Sequence, residues 1–149
     1  LAQTYAENPE GWLILVGPTR VGKTHLAAAI SNACAKNQRP TLWADVPALA
    51  SDVDTTKTLF ARMGSRDLLI LDNYRNAPMD ERSTRVFDVL LEWRHIRKIP
   101  TVITTEVLLD HLATYSAVWQ GALADRAIVN VAPMIAMRYP YEREDASLR

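Results

Sequence analysis

The sequence contains a segment, GPTRVGKT at residues 17–24, whose residue types and spacing suit the binding of phosphate. It matches the pattern G-x-x-x-x-G-K-[ST] at every fixed position, Gly17, Gly22, Lys23 and Thr24. Phosphate oxygens need several inward-pointing backbone N–H donors, and close approach of the backbone favours residues without a Cβ atom. A helix that begins at this point adds its dipole and its unpaired N–H groups. We therefore predict that a phosphate chain is bound by Gly17, Pro18, Thr19, Arg20, Val21, Gly22, Lys23, Thr24 and His25.

Individual side chains of this segment have separate expectations. Lys23 would reach the β and γ phosphates, and Thr24 would offer its hydroxyl to Mg²⁺. Arg20 is expected to point to solvent or to a neighbour, without a chemical role. His25 is able to approach phosphate, although a helix residue that faces a neighbouring strand is the simpler interpretation. The alternative for the whole segment is a turn with an exposed lysine.

A second acidic position follows the apolar run LLILD, which puts Asp72 at the end of a predicted strand. A carboxylate there can hold the hydrated Mg²⁺ that bridges the phosphates. The alternative is a strand-terminal Asp that caps a turn. The next residue, Asn73, cannot accept a proton from an attacking water as Asp or Glu would, but it can orient that water by hydrogen bonds. Asn is also common in turns for purely structural reasons.

Short apolar runs alternate with longer helical patterns along the chain. Strands are predicted at residues 12–16, 41–44, 67–72, 101–105 and 127–132. Helices are predicted at residues 23–36, at 48–63 after Pro47, to about residue 98 from an N-cap at Asp80, and in shorter pieces over 107–124. In the helix after Asp80, one apolar face is predicted from Val86, Val89, Leu90, Trp93 and Ile96.

This alternation predicts an α/β fold, a three-layer sandwich with a mainly parallel five-stranded sheet covered on both faces. Ligands of such sheets bind at the carboxyl ends of the strands. The phosphate-binding segment leaves the first strand at such an end. Asp72 and the pair Thr104 and Thr105 fall at two further ends, so we expect them near the phosphates.

Composition restricts the class of protein. The 149 residues include 17 basic and 17 acidic ones, so the net charge is zero and any binding to nucleic acid must come from a local patch. Cys34 is the only cysteine, so no internal disulfide forms, and we predict a buried thiol. No apolar run approaches the ~18 residues of a membrane span, and no leader pattern is visible. We expect a cytoplasmic protein without membrane contact.

Three segments together, NPEGWLILVGPTRVGKTHLAAAI, LLILDN and IPTVITT, resemble the AAA+ ATPase core of bacterial helicase loaders of the DnaC/DnaI type. The chain is similar also to the IstB-type helpers of transposition, over about residues 5–132. The resemblance implies a P-loop NTPase fold that binds ATP or ADP with Mg²⁺. It makes Gly17 to Thr24 the Walker A loop and makes Thr24 and Asp72, the Walker B acid, the Mg²⁺ ligands. The catalytic residues that it implies are Lys23, Asp72, Asn73, Thr105, on the sensor-1 strand, and Arg126, as an arginine finger.

The same resemblance implies partners. Arg126 would act in trans, so the chain is expected to self-associate through the ATP site; the alternative for Arg126 is an ion pair with Asp125 or another acid. A replicative helicase or a transposase and single-stranded DNA are further expected partners. The single domain, 1–149, would have no separate amino-terminal partner-binding domain and no full carboxy-terminal lid.

Two departures from the family pattern bear on hydrolysis. Asn73 stands where a second acid is common, and Glu106 stands where a polar sensor Asn is expected. We therefore predict a weak or partner-dependent ATPase that assists DNA replication or transposition. A small-molecule P-loop kinase and a nucleotide-holding interaction module without hydrolysis are the two alternatives.

Overall fold

The computed structural model describes residues 1–51, 61, 63, 68–125 and 129–134. In chain order these residues form α1 Ala2–Glu7, β1 Trp12–Val16, α2 Lys23–Lys36, β2 Thr41–Asp45, α3 Val46–Ala50, β3 Leu68–Asp72, α4 Glu81–Ile96, β4 Thr101–Thr105, α5 Leu109–Tyr115, α6 Ala117–Ala124 and β5 Val129–Pro133. In this part of the chain, no helix has the length and apolar character needed to cross a bilayer.

The five strands form one sheet in the order β2-β3-β4-β1-β5, and the neighbouring strands are parallel. The register pairs Val16 with Thr105 and Asp45 with Asp72, so the carboxyl ends of the strands meet at one edge. β1 lies between β4 and β5, and the chain leaves β1 to one side and crosses back over it after β4. Ligands of open parallel sheets bind at such a reversal of strand order. The predicted parallel five-stranded α/β fold is confirmed.

Alternate residues of the central strands β1, β3 and β4 enter two separate cores, which explains the near-continuous apolar runs. Trp12 and Ile14 of β1 belong to one core, together with residues of α4, α5 and α6. Leu13 and Leu15 belong to the other, which is closed by α1 and α2 and contains the buried Cys34, as predicted. The sheet therefore lies between two helical layers, and the predicted three-layer arrangement is confirmed.

Most predicted elements are found with small shifts in their bounds. β1, α2 and β4 have the predicted bounds, and β2 continues one residue further, to Asp45. β5 also ends one residue later than predicted, and the first two residues of its predicted range lie outside the described residues, as does Asp67. α3 has Pro47 in its first turn, but residues 52–60 and 62 of the predicted helix lie outside the described residues. α1 was not predicted.

The helix after Asp80 begins as predicted but buries a different face. The Asp80 side chain accepts a hydrogen bond from Ser83 N at 2.7 Å, which caps the helix. Of the predicted apolar face, Leu90 is buried, but Val89, Trp93 and Ile96 are 54, 40 and 66% exposed. The other buried positions are Ser83, Phe87, Leu91 and Arg94.

Arg94 explains this difference in orientation. Its side chain is fully buried, and it donates to the Pro100 carbonyl at 2.7 Å, to Thr101 Oγ1 at 2.8 Å and to the Met63 carbonyl. Because guanidinium carries five donors, a set of fixed acceptors can compensate much of its desolvation. A prediction based on apolar residues leaves out a buried arginine. The predicted face of α4 is therefore rotated about the helix axis relative to the face that is buried.

The first residue after β1 is packed against the end of β5, which generates a test of the fold. A Cβ atom at Gly17 would lie 2.5 Å from the carbonyl oxygen of Met134, a main-chain atom that cannot rotate away. Gly17→Ala should therefore lower the free energy of unfolding by roughly 1–3 kcal/mol, the usual range for overpacking. The measurement is urea denaturation followed by circular dichroism.

Gly121→Ala is the matched control for this substitution. Gly121 is exposed within α6, and a Cβ atom there meets no atom within 4 Å. Alanine at this position should raise stability by about 0.5–1 kcal/mol, because it restricts the unfolded chain. Equal effects of the two substitutions would contradict the close contact between Gly17 and Met134.

Candidate nucleotide-binding site

The phosphate-binding segment forms the loop between β1 and α2, and its start is held from both sides. Gly17 N donates to the Thr105 carbonyl at 3.2 Å, and Met134 N donates to the Val16 carbonyl at 2.8 Å. Gly22, at φ 96°, is the N-cap of α2, so the unpaired N–H groups of the first turn face the loop. This is the geometry of a helix N-terminus that binds an anion.

Arg20 and His25 lie at the outer side of this loop and helix. Arg20 adopts the left-handed conformation, at φ 64°, and its side chain is exposed as predicted. The side chain of His25 is exposed on the first turn of α2. Neither side chain is buried in the loop.

Lys23 turns back over the loop that precedes it. Its side chain is 6% exposed, and Nζ donates to the Gly17 carbonyl at 2.9 Å and to the Pro18 carbonyl at 2.6 Å. Burial lowers the pKa of the Lys23 ammonium, while the carboxylates of Glu106 and, to a smaller extent, Asp72 act in the opposite direction. The ammonium is therefore held at the mouth of the loop, where incoming phosphate oxygens can replace two neutral carbonyls.

Asp72 joins the ends of three elements. Its Oδ1 accepts from Thr24 Oγ1 at 3.0 Å and from Thr104 Oγ1 at 2.6 Å, and its side chain is 5% exposed. Hydrogen bonds to a carboxylate compensate the desolvation that its burial causes. The structure thus brings the two predicted Mg²⁺ ligands, Thr24 and Asp72, into direct contact.

These two groups fit the ion that was predicted for them. Mg²⁺ prefers oxygen ligands and is bound through one or two protein groups, with waters and phosphate oxygens completing its coordination. The Thr24 hydroxyl and the Asp72 carboxylate are both oxygen donors, they lie within 3.0 Å of each other, and they adjoin Lys23. The donor set at the mouth of the loop is therefore suited to a magnesium–nucleotide complex.

The two threonines at the end of β4 point to opposite faces of the sheet. Thr104 donates to Asp72 and accepts from Asn73 N at 2.9 Å, so it lies on the side of α2. Thr105 donates to the Tyr74 carbonyl at 2.8 Å and accepts from Val107 N at 3.0 Å. Thr105, the predicted catalytic threonine, thus holds backbone, whereas its neighbour contacts the acid.

Asn73 separates two carboxylates at the end of β3. Its Nδ2 donates to Asp45 Oδ1 at 3.3 Å and to Asp72 Oδ2 at 3.4 Å. Its Oδ1 accepts from Asn76 Nδ2 at 3.1 Å. The backbone is left-handed at Asn73, with φ 60°, a conformation that Asn tolerates better than most residues. Asn73 therefore suits the turn and also supplies donors that a carboxylate would lack.

Glu106, the first residue after β4, closes the other side of the loop. Its Oε1 accepts from Thr19 Oγ1 at 2.8 Å, and its backbone N donates to Asn76 Oδ1 at 2.9 Å. These contacts join residues that are far apart in the sequence. Periodicity and spacing carry no signal for them, and the pairing of Thr19 with Glu106 was not predicted.

Arg126, the predicted arginine finger, lies outside the described residues. The residue before it, Asp125, follows α6, and its Oδ2 lies 3.2 Å from His95 Nε2. The contact with His95 fixes the point at which the chain leaves α6 toward residue 126.

Comparison with known proteins identifies the family. The model of the family described as IstB-like ATP binding protein matches residues 3–132. The chain belongs to the IstB-like ATP-binding protein family. One relative is y4uH of Sinorhizobium fredii, which is named as an insertion sequence ATP-binding protein. It is 28% identical to this chain over 124 residues, which cover 78% of this chain and 50% of that protein. A second relative, named as an ATP-binding protein of insertion sequence IS232 of Bacillus thuringiensis, is 27% identical over 145 residues, with 89% and 56% covered.

Solved structures resemble the IstB-like chain in fold. The crystal structure of DnaI has a TM-score of 0.75 at 24% identity and covers 91% of this chain and 79% of that one. The DnaC helicase loader gives 0.73 at 18% identity, with 90% and 86% covered. DnaA from Aquifex aeolicus, bound to AMPPCP, gives 0.76 at 16% identity, with 99% and 49% covered. The chain spans about half the length of the curated relatives it matches.

The contrast between the two threonines of β4 generates a prediction for the site. Thr104→Val removes the hydroxyl that donates to Asp72 and accepts from Asn73 N, but the side chain at position 104 keeps nearly the same shape. Because hydrogen bonds to a charged group are worth about 1.5–3 kcal/mol, we expect affinity for Mg²⁺–ATP to fall on the order of tenfold or more. Titration with a fluorescent ATP analogue at several Mg²⁺ concentrations measures it.

Thr105→Val is the matched control, since it removes hydrogen bonds to backbone only. It should lower thermal stability and leave the Mg²⁺ dependence of binding unchanged. If Thr105→Val changed the Mg²⁺ dependence and Thr104→Val did not, the assignment of Thr104 to Asp72 would be wrong.

Proposed function

We propose that the chain is the ATP-binding domain of a DNA transposition helper, a nucleotide-dependent switch with slow hydrolysis that a neighbouring subunit or a partner accelerates. The observation that carries this proposal is the position of Asp72, whose carboxylate accepts hydrogen bonds from Thr24 of the phosphate loop and Thr104 of β4. This contact brings together the groups that would hold a magnesium–nucleotide complex. The residue after Asp72 is Asn73, whose amide side chain cannot take a proton from water, and this supports slow hydrolysis.

The family relatives support transposition as the process. The curated proteins that match the chain are named after insertion sequences, and their identities of 27 and 28% exceed those of the solved replication proteins DnaC and DnaA. Helicase loading is the second candidate process, and it is favoured by the fold shared with DnaI and DnaC. The partner is accordingly a transposase or, on the second interpretation, a replicative helicase.

Binding would proceed by exchange of partners at the loop. Phosphate oxygens would take the N–H donors of the loop and of the first turn of α2, and Lys23 would leave the carbonyls of Gly17 and Pro18 for the β and γ phosphates. Thr24 and Asp72 would hold Mg²⁺, which would neutralise part of the phosphate charge. Thr104 keeps the Asp72 carboxylate oriented toward Thr24.

Completion of the site would require a second copy of the chain. Arg126 would reach the γ-phosphate held by its neighbour, and the Asp125–His95 contact would fix the start of that segment. Single-stranded DNA is a further proposed partner; because the net charge is zero, its binding would depend on a local basic patch and fall with salt. The setting would be the cytoplasm.

Shared sites make turnover depend on assembly, which gives a test. ATP hydrolysis per molecule should rise with protein concentration, and it should rise further with single-stranded DNA. Arg126→Ala should bind ATP normally but lose the rise with concentration, because an arginine supplied in trans acts on the transition state rather than on binding. Lys23→Ala, the control, should lose binding and turnover together. The measurements are phosphate release and analytical ultracentrifugation.

Other outcomes would replace this proposal. Rapid turnover by a monomer, unchanged on dilution, would exclude a shared site. Transfer of phosphate from ATP to a nucleoside or metabolite would indicate a small-molecule kinase. Nucleotide binding without turnover under any condition, together with no effect of Arg126→Ala on assembly, would indicate an interaction module that holds nucleotide structurally.

A further inference from the structure

Hydrolysis of ATP requires a group that takes the proton of the attacking water, and Asn73 cannot take it. Three carboxylates among the described residues stand at the carboxyl edge of the sheet next to the loop or next to Asn73. They are Asp45, the last residue of β2, Asp72, the last residue of β3, and Glu106, the first residue after β4. Their contacts decide which of them is free to act on water at the γ-phosphate.

Two of the three carboxylates are engaged elsewhere. Asp72 is 5% exposed and accepts from Thr24, Thr104 and Asn73. Its oxygens are therefore directed to the threonines and to the Mg²⁺ position. Asp45 belongs to the edge strand β2, two strands away from β4 and three from β1, and it contacts the Asn73 amide rather than the loop. Neither is suited to reach a water over the loop.

Glu106 is the carboxylate that touches the phosphate loop itself. β4 lies directly beside β1, and Glu106 Oε1 accepts from Thr19 Oγ1 at 2.8 Å. Thr19 adjoins Pro18, whose carbonyl holds the Lys23 ammonium at 2.6 Å. Glu106 also raises the Lys23 pKa more than Asp72 does. Because Lys23 reaches the β and γ phosphates of a bound nucleotide, Glu106 stands at the γ end of the loop.

The position of Glu106 is fixed from the side of β3. Its backbone N donates to Asn76 Oδ1, and Asn76 Nδ2 donates to Asn73 Oδ1. A chain of hydrogen bonds thus runs from the turn after Asp72 to Glu106 and on to Thr19. The side chain remains exposed, so water has access to its carboxylate.

The geometry points to Glu106 as the general base of ATP hydrolysis at this site, the role that Asn73 is unable to perform. The Glu106 carboxylate accepts a proton from water while the water oxygen forms a bond to the γ-phosphorus. The bond between that phosphorus and the oxygen bridging it to the β-phosphate breaks, and its electron pair stays on ADP. The proton then passes from Glu106 to the released phosphate or to solvent. The inference rests on the proposed ATPase function.

The Thr19 contact gives this base a resting position. While Oε1 accepts from Thr19, that oxygen is occupied, and the Thr19 contact must be released or shared before Glu106 can take a proton from water. Slow turnover in an isolated chain is consistent with such a restrained base. The contact itself is not needed for the chemistry, so its removal and the removal of the carboxylate should have different effects.

The test uses two substitutions, one that removes the carboxylate and one that removes its contact with Thr19, which should have different effects on kcat. Glu106→Gln keeps an oxygen that accepts from Thr19 but removes basicity, so it should lower kcat by about 10²-fold or more, the scale of a general base. ATP should bind at least as tightly as to the wild type, because a negative charge beside the phosphates is lost. Thr19→Val removes the contact but keeps the carboxylate. Because Thr19 belongs to the phosphate loop, ATP affinity should fall, but kcat at saturating ATP should stay well above that of Glu106→Gln. Glu92→Gln, on the exposed side of α4, is the control and should change neither quantity.

Phosphate release at saturating ATP and binding of a fluorescent ATP analogue, both with Mg²⁺, separate the outcomes. Loss of kcat in Glu106→Gln with intact binding, and a much smaller loss of kcat in Thr19→Val, supports the inference. Unchanged or faster turnover in Glu106→Gln overturns it and makes the carboxylate an inhibitory contact. Equal losses in both variants also overturn it, since they indicate that the contact only holds the loop. Absence of turnover in the wild type overturns the proposed ATPase function itself, and the inference with it.

Discussion

The hydrogen bonds that meet at the Asp72 carboxylate are the interaction on which the site depends. Thr24 of α2 and Thr104 of β4 both donate to it, so one side chain of β3 fixes the relative position of the helix and of a neighbouring strand. A carboxylate with 5% exposure is stable at this position only with such donors. The loop is therefore held in shape before any nucleotide arrives, which lowers the ordering cost of binding.

The sheet makes this arrangement rigid. Each central strand is buried on both faces, and the Trp119 ring contacts the rings of both Trp12 and Tyr74 on the side of α4, α5 and α6. The Trp119 Nε1 group donates to the Tyr74 hydroxyl at 3.1 Å, so the polar atoms of these two side chains are paired. The turn that carries Asn73 thus rests on packed side chains, and Tyr74 N donates to the Thr104 carbonyl.

Residues of the site already make contacts that the groups of a nucleotide would replace. Two loop carbonyls accept hydrogen bonds from the Lys23 ammonium, and the Glu106 carboxylate accepts one from the Thr19 hydroxyl. In the proposed binding mode a triphosphate would displace these contacts, so binding would be an exchange of hydrogen bonds rather than a simple gain. An exchange of this kind couples occupancy of the loop to the positions of Glu106 and, through Asn76, of the turn after β3. That coupling is what a nucleotide-dependent switch requires.

Most of the elements and the phosphate loop could be predicted from the sequence, because both are encoded by residues that are near one another in the chain. The bounds of β1, α2 and β4 follow from local apolar runs and helix signals, and the loop follows from the spacing of Gly17, Gly22, Lys23 and Thr24. Which threonine of β4 contacts Asp72 could not be predicted, because a shift of one residue along a strand exchanges the two faces of the sheet. The tertiary structure also determines which face of α4 is buried, since Arg94 donates to carbonyl groups of other segments. It likewise brings Thr19 into contact with Glu106, 87 positions further along the chain. Such contacts depend on the order of strands in the sheet, which no local pattern of residue types contains.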